Sequence, residues 1–258
     1  MLTPEQCEQL EVVLVSPRNP LNIGAAARAM ANFGFRRLTI VAPFATNWTE
    51  AKSAVGAPDL LREARVLDTL AEAVADCTLV LGTGSLDRRR PEQTILDLPD
   101  GASQIREALA SQRVGGRVAL LFGSEKHGLT SEDISWCHAL IVIDTHDDQP
   151  SMNLGQAVAV CLYEISRTGE IALQSGQSLI TGENVRHLPN SEQLDRLAGL
   201  IEETMAGVNY TTRGMRSANG EALRVLLRRL MPNDADLRRM MGLFRRILWQ
   251  LRRDTGKS

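Results

Sequence analysis

Three short stretches of the chain carry residue types that a plain core does not require. The first, NPLNIGAAARAM (Asn19 to Met30), follows the apolar run EVVLVSP and opens an alanine-rich helix. Asn22 and Gly24 fall where a helix start exposes unpaired N–H groups and a partial positive charge. Arg28 comes six residues after Asn22, among alanines at 25, 26, 27, 29 and 31. Those small side chains admit a close-lying backbone or ligand beside a cation. An ordinary strand-to-helix turn with a surface arginine has the same spacing, so this stretch alone decides nothing.

The second stretch, LLFGSEKHGLTSED (120–133), ends an apolar strand on Phe-Gly and turns through Ser124, Glu125 and Gly128. Thr130 with Asp133 then forms a variant of the capping box for a following helix. LGTGS (81–85) ends another strand in the same way, with Thr83, Gly84 and Ser85. Ligands of α/β sheets bind at the carboxyl ends of strands, and glycine there lets backbone groups reach a ligand. Neither stretch is a GxGxxG or P-loop pattern, which weakens a dinucleotide or ATP reading. The third stretch, IDTHDDQPSMNLGQAVAV (143–160), runs from a strand through a polar loop to Ser151, Met152 and Asn153. Ser and Asn are favoured at any helix start. Together at a strand-to-helix turn they also suit a hydroxyl-bearing substrate.

The elements that must position these residues are written in the periodicity. Near-continuous apolar runs at 11–16, 37–42, 78–83, 117–123 and 139–144, with a weaker one at 64–68, read as strands covered on both faces. Helical patterns at 22–33, 68–75 and 103–111 alternate with them. That alternation predicts an α/β fold with a mostly parallel sheet. The last helix of this body places Leu154, Ala157, Val158, Cys161, Leu162 and Ile165 on one face. From 168 to 190 the period gives way to Gly, Ser, Asn and Pro, the composition of a linker. Beyond it only helical patterns follow, near 191–206, 219–231 and 234–253, the last with an apolar seam from Leu237 to Leu251. The expected organisation is a body over 1–168, a linker over 169–190 and a small all-α extension over 191–258.

Composition narrows the classes. The 258 residues are 43% hydrophobic and 23% charged, which is ordinary for a globular chain with a sizeable core. No run reaches the ~18 apolar residues of a membrane span, and MLTPEQCEQLE lacks a signal-peptide core. A cytoplasmic protein is expected. Cys7, Cys77, Cys137 and Cys161 form no CxxC pair and read as buried free thiols. The four scattered histidines predict no metal site. The net charge of −2 conceals an asymmetry: residues 1–170 carry 15 Lys and Arg against 22 Asp and Glu, residues 171–258 carry 14 against 9. Thirteen of those fourteen are arginines, which points to a phosphate-bearing partner.

Taken in order, N-x-G-A-A-A-R, then F-G-S-E-x-x-G-L, then S-M-N-L before an alanine- and valine-rich helix, resemble the SpoU/TrmH group of the SPOUT superfamily. The likeness covers roughly residues 11–167. Members of that group are S-adenosylmethionine-dependent RNA ribose 2′-O-methyltransferases. The resemblance implies that the C-terminal part of the sheet is threaded into a deep trefoil knot, a rare exception to the rule against threading. It implies that S-adenosylmethionine is touched by three strand ends: Thr83, Gly84 and Ser85; Gly123, Glu125 and Gly128; Ile143 with Met152 and Leu154. It implies a homodimer in which Arg28 of one subunit reaches the other's cofactor. Asn22 would then orient the turn, Glu125 would fix Asn22 or Arg28, and Ser151 and Asn153 would orient a ribose hydroxyl. An arginine stays protonated up to pH ~12. Arg28 is therefore expected to grip a phosphate and stabilise the developing alkoxide, with a phosphate or water taking the proton.

The extension resembles that of family members that methylate tRNA in the anticodon loop. In its last helix Arg238, Arg245 and Arg252 recur every seven residues, as do Arg239, Arg246 and Arg253. This makes a stripe about 21 Å long. Arginine in place of mixed lysine and glutamate suits phosphates, although a solvated face has the same spacing. Arg88, Arg89 and Arg90 follow the LGTGS strand end, where a substrate phosphate would pass. The expected protein is a dimeric tRNA ribose methyltransferase without a metal. Two other functions fit parts of the sequence. One is a knotted RNA-binding protein without turnover, against which Asn22, Arg28, Glu125, Ser151 and Asn153 argue. The other is a SPOUT enzyme acting on a base or on rRNA, for which Asp147 and Asp148 are the available acids.

Overall fold

The computed structural model describes residues 2–44, 58–84, 91–110, 116–146, 148–167, 188–210 and 216–255. Among the described residues, seven strands form one sheet: β1 (Leu10–Val15), β2 (Arg37–Val41), β3 (Arg65–Leu67), β4 (Cys77–Thr83), β5 (Thr94–Asp97), β6 (Arg117–Phe122) and β7 (Ala139–Val142). Their order is β3-β2-β1-β6-β4-β7-β5, and every pairing is parallel. The body helices are α1 (Pro4–Cys7), α2 (Pro20–Asn32), α3 (Pro58–Glu63), α4 (Leu70–Val74), α5 (Leu98–Ala110), α6 (Ser131–Ser135) and α7 (Leu154–Ser166).

The continuous apolar runs are explained by cover on both faces. Along β1, Val12 and Leu14 enter one core with Ile23 and Met30 of α2, Ile105 of α5 and Leu162 of α7. Val13 and Val15 enter the other with Leu70 and Val74 of α4, Trp136 and Leu140. The period of two is intact, but both sets of side chains are buried, so no polar alternation remains.

The expected strands are all found within two residues at either end. β5 is absent from the sequence expectation: it sits at the sheet edge, is four residues long and buries only Leu96, with Ile95 exposed. α5 begins at Leu98, five residues before its apolar period starts, where Asp97 Oδ1 accepts the Asp100 N–H at 2.8 Å. All four cysteines are free and buried.

Chain order and spatial order part company after β6. β7 follows β6 in sequence but lies beyond β4, and α7 then returns to pack along α2. That contact is close. A Cβ on Gly155 would come within 2.6 Å of the Ala25 Cβ, so the alanines of α2 and Gly155 of α7 serve each other.

Residues 169–187 of the expected linker lie outside the described residues. From 188 onward, α8 (Ser191–Gly207), α9 (Arg216–Leu230) and α10 (Asp234–Thr255) share a core of Leu194, Leu197, Ala198, Leu227 and Leu237. They touch the body directly: the Glu192 N–H donates to the Ala75 carbonyl at 3.0 Å. Among the described residues no helix is long and apolar enough to cross a membrane, and no group of three His, Cys, Asp or Glu could hold a metal ion.

Candidate active site

The carboxyl ends of β4, β6 and β7 open onto one cavity of about 500 Å³. Thr83 and Gly84 line it from β4, the loop from Gly123 to Leu129 from β6, and Ile143, Thr145, Ser151, Met152 and Leu154 from the segment after β7. The β6 loop is a tight turn. Ser124 and Gly128 bridge across it, and Gly128 adopts the left-handed φ of +64° that favours glycine. A Cβ on Gly123 would overlap the Gly128 carbonyl carbon and the Leu129 nitrogen, so the loop folds back on its own backbone.

Glu125 is the hub of the site. Its Oε2 accepts the Arg18 N–H at 2.9 Å, and its Oε1 accepts the Asn19 N–H at 3.0 Å and the Asn22 side-chain amide at 2.8 Å. Burial alone pushes the Glu125 carboxyl up, but the hydrogen bonds from Asn22, Arg18, its own backbone and Asn19 hold it below 4.5. Asn22 Oδ1 in turn accepts from Asn153 Nδ2 at 2.9 Å. Asn153 caps α7, with its Oδ1 accepting the Gly155 and Gln156 N–H groups at 2.9 and 3.4 Å. The chain Glu125–Asn22–Asn153 thus ties all three motifs together. Its members are 103 and 131 residues apart in sequence.

α2 starts where it must for this to work. Asn19 is its N-cap, its side chain accepting the Leu21 N–H at 2.9 Å, and Pro20 takes the first helical position, where no N–H is needed. Asn22 then points at the β6 loop from the first turn. Arg28 is exposed and makes no hydrogen bond or ion pair among the described residues. Neither Arg28, Asn22 nor Asn153 lines the cavity.

Of the residues singled out for the cofactor, Thr83, Gly84, Gly123, Glu125, Gly128, Ile143, Met152 and Leu154 all line this cavity. Ser85, Arg88, Arg89, Arg90 and Asp147 lie outside the described residues. Sequence reasoning missed Ile134, Leu140, Thr145 and Pro150, which also line it. Ile134 and Leu140 are ordinary core residues by type, and nothing but the fold brings them here. The extension's Arg238, Arg239, Arg245 and Arg246 are exposed on α10. The stripe is not uniform, however. Arg239 pairs with Asp236 at 3.4 Å, Arg252 pairs with Glu203, and Arg246 and Arg253 stack on Trp249 at 4.4 and 5.2 Å.

The cavity fits an amphiphilic ligand of S-adenosylmethionine's size. Phe122, Leu129, Leu140 and Leu154 offer apolar cover for a flat ring, while Thr83, Ser124, Glu125 and Ser151 bring polar groups. Because the Gly123 backbone has no room for a side chain, Gly123→Ala is expected to displace the loop. S-adenosylmethionine affinity should fall at least about tenfold, as an overpacked backbone contact costs roughly 1–3 kcal/mol. Calorimetric titration reads this directly, and unchanged affinity would remove the loop from the ligand site.

The comparisons with known proteins agree with this geometry. The SpoU rRNA Methylase family model matches residues 9–163. The chain is 32% identical over 241 residues to the tRNA (cytidine/uridine-2′-O-)-methyltransferase TrmJ of Escherichia coli strain K12, covering 92% of this chain and 94% of that one. It is 31% identical to the TrmJ of Citrobacter koseri, covering 92% and 95%. Among solved structures, TrmJ from Z. mobilis ZM4 superposes with a TM-score of 0.77 at 29% identity, covering 92% of this chain and 98% of that one. By sequence, by fold and by the three motifs that close on one cavity, the chain belongs to the SpoU methylase family.

Proposed function

We propose that this enzyme transfers a methyl group from S-adenosylmethionine to a ribose 2′-hydroxyl of tRNA, in the anticodon loop, and works as a homodimer. One observation carries the reading: the Glu125–Asn22–Asn153 chain locks the Arg28-bearing helix α2 onto the two loops that line the cavity. The TrmJ relatives, whose name states cytidine and uridine 2′-O-methylation, supply the substrate class. Against the rival of an RNA-binding protein without turnover stand Asn22, Arg28, Glu125, Ser151 and Asn153, all present in the sequence.

S-adenosylmethionine, when bound, supplies a methyl group on a positively charged sulfur. Thr83, Gly84, Gly123, Gly128, Ile143, Met152 and Leu154 would hold it. Glu125 anchors the loop instead of acting as a base, since both of its oxygens accept hydrogen bonds. Asn153 is a strut, with its oxygen capping α7 and its amide on Asn22. Ser151, exposed at the cavity, is left to orient the ribose hydroxyl. Arg28 grips the neighbouring phosphate with its planar fork and stabilises charge developing on the 2′-oxygen. The hydroxyl proton leaves to a phosphate or to water. Positioning of this kind can supply roughly 7–11 kcal/mol of barrier reduction.

A dimer fits the placement of Arg28 outside its own chain's cavity. α2 and α7 also present Leu21 and Tyr163, each 53% exposed, on the outer side of the body. The knot implied by the family resemblance agrees with the strand order, in which the chain crosses β4 between β6 and β7 before α7 returns to α2. In this reading residues 1–168 carry the chemistry, and 191–258 form the RNA-binding, dimer-supporting extension.

Incubation with labelled S-adenosylmethionine and bulk tRNA, followed by mapping of the product, tests the reaction. Label at a ribose 2′-oxygen of the anticodon loop is expected. Label on a base, or no label in tRNA while rRNA offered in a parallel sample is labelled, overturns the substrate reading. For the extension, Arg238 and Arg245 are exposed and make no ion pair among the described residues. An Arg238→Gln/Arg245→Gln protein should show a log affinity against log salt slope shallower by about 2, one for each lost phosphate contact. An unchanged slope would turn that face back into ordinary solvated surface.

A further inference from the structure

The extension does more than sit beside the body. Leu129 and Ile134 line the cavity and are nearly fully buried. Just beyond them, Ser135 and Trp136 face the extension. Arg224 of α9 donates to Ser135 Oγ at 2.9 Å, and its guanidinium lies 4.8 Å from the Trp136 ring. Arg228, one turn on, lies 4.9 Å from the same ring. Arg229 Nη1 reaches Glu92 at 2.8 Å, and the adjacent, buried Gln93 donates to the Ile134 carbonyl at 2.8 Å. Three arginines of one helix therefore hold two segments, 92–93 and 134–136, that meet at the cavity wall.

Arg228 is the unusual member. It is fully buried, its Nε and Nη2 make no hydrogen bond among the described residues, and no carboxylate pairs with it there. Arg228 Nη1 donates to the Arg224 carbonyl at 3.4 Å. Burial pushes its guanidinium down to about 10. An unpaired buried cation carries its desolvation cost with no Coulombic return, so an apolar side chain of similar volume is expected to match or improve stability. Folding alone therefore does not call for an arginine here.

We infer that α9 is a positioning element for the cofactor wall: Arg224 and Arg228, stacked on Trp136, hold α6 and with it Leu129 and Ile134 in the shape the ligand needs. The inference rests on the cavity being the S-adenosylmethionine site. Arg224 and Arg228 touch no ligand and act through Trp136. Cofactor affinity is thereby set partly from the extension, which is the part of the chain proposed to meet RNA.

The test uses the full chain with Arg224→Met and Arg228→Met together, which keep stem volume and remove both guanidinium groups. Three quantities are read: hydrogen exchange without ligand, S-adenosylmethionine affinity by calorimetry, and the melting temperature. Arg224 Nε also lies 3.8 Å from Asp195 of α8, so α10 is the internal control: the expected result is exchange about tenfold faster over 129–136 with α10 unchanged. Affinity should be about tenfold weaker and the melting temperature the same or higher. Should that protein fail to fold, Arg229→Gln removes only the exposed bridge to Glu92 and should weaken affinity about two- to threefold. Unaltered exchange over 129–136 with unaltered affinity overturns the inference. So does a uniform rise in exchange with a lower melting temperature and normal affinity, the mark of a merely structural contact. Failure of the unaltered chain to bind S-adenosylmethionine overturns the cofactor reading itself and the inference with it.

Discussion

An Arg28→Ala enzyme is expected to bind S-adenosylmethionine as tightly as the unaltered one and to transfer methyl groups roughly 100 to 1,000 times more slowly. That range is the loss seen when one donor that stabilises developing charge is removed. Arg28 is exposed and makes no hydrogen bond or ion pair among the described residues. Its removal leaves no buried group stranded, and alanine is the better helix former, so stability should shift by only about 0.5 kcal/mol. Arg28→Lys keeps the charge but loses the planar fork, and should fall between the two. A mixing experiment then separates the two possible homes of this residue. Arg28→Ala and Gly123→Ala subunits, each of low activity alone when S-adenosylmethionine is kept well below saturation, are combined after unfolding and refolding. If Arg28 serves the partner's cavity, half the dimers are mixed and each holds one complete site, restoring about a quarter of full activity. If Arg28 serves its own cavity, each subunit of a mixed dimer keeps one defect and nothing is restored. Near-normal turnover of Arg28→Ala would remove it from the chemistry altogether.

The sheet was legible because its strands are covered on both faces, and an unbroken apolar run such as Val12–Val15 can hardly be anything else at that length. β5 was not, because an edge strand that buries only Leu96 carries almost no hydrophobic signal. α6 is a five-residue helix, too short for periodicity, and was visible only through the Thr130–Asp133 capping pair, which the structure contains. The site was legible as three motifs but not as one object. Nothing in the spacing says that Glu125 will meet Asn22 rather than Arg28. Long-range pairing depends on how β1, β6 and β7 are ordered in space, and the order β1-β6-β4-β7 is not the order of the chain. Asn153 illustrates the limit from the other side. The sequence leaves it open between an N-cap and a hydroxyl-orienting residue, and the structure shows the cap, with the remaining reach going to Asn22. The Trp136 contacts with α9 were invisible for the same reason: they join residues nearly ninety positions apart, as Ser135 and Arg224 show.

Glu125→Gln changes one atom of the hub and should disable more than its size suggests. The carboxylate offers two acceptor oxygens to three donors, the Arg18 and Asn19 N–H groups and the Asn22 amide. A glutamine keeps one acceptor and turns an NH₂ toward a donor, leaving an N–H unmatched at a cost of about 1–3 kcal/mol. The low end is expected because Glu125 is exposed to solvent on one side. The larger effect is on turnover. With Asn22 released, α2 is no longer locked to the β6 loop, and displacement of a positioning contact by about 1 Å can cost a hundredfold in rate. The stability difference also has a pH signature. The folded Glu125 carboxyl sits below 4.5, so the unfolded chain takes up its proton first as pH falls. The contribution of Glu125 is therefore complete above pH ~4.5 and is lost as pH drops through the folded value. Urea unfolding of both proteins should give a constant gap from pH 7 down to about 5, and a narrowing gap below it. A gap of the same size at pH 3.5 would mean that the negative charge of Glu125 is not what holds the three motifs together. The lock would then reside in the Asn22–Asn153 bond, and Asn22→Ala would become the more damaging change.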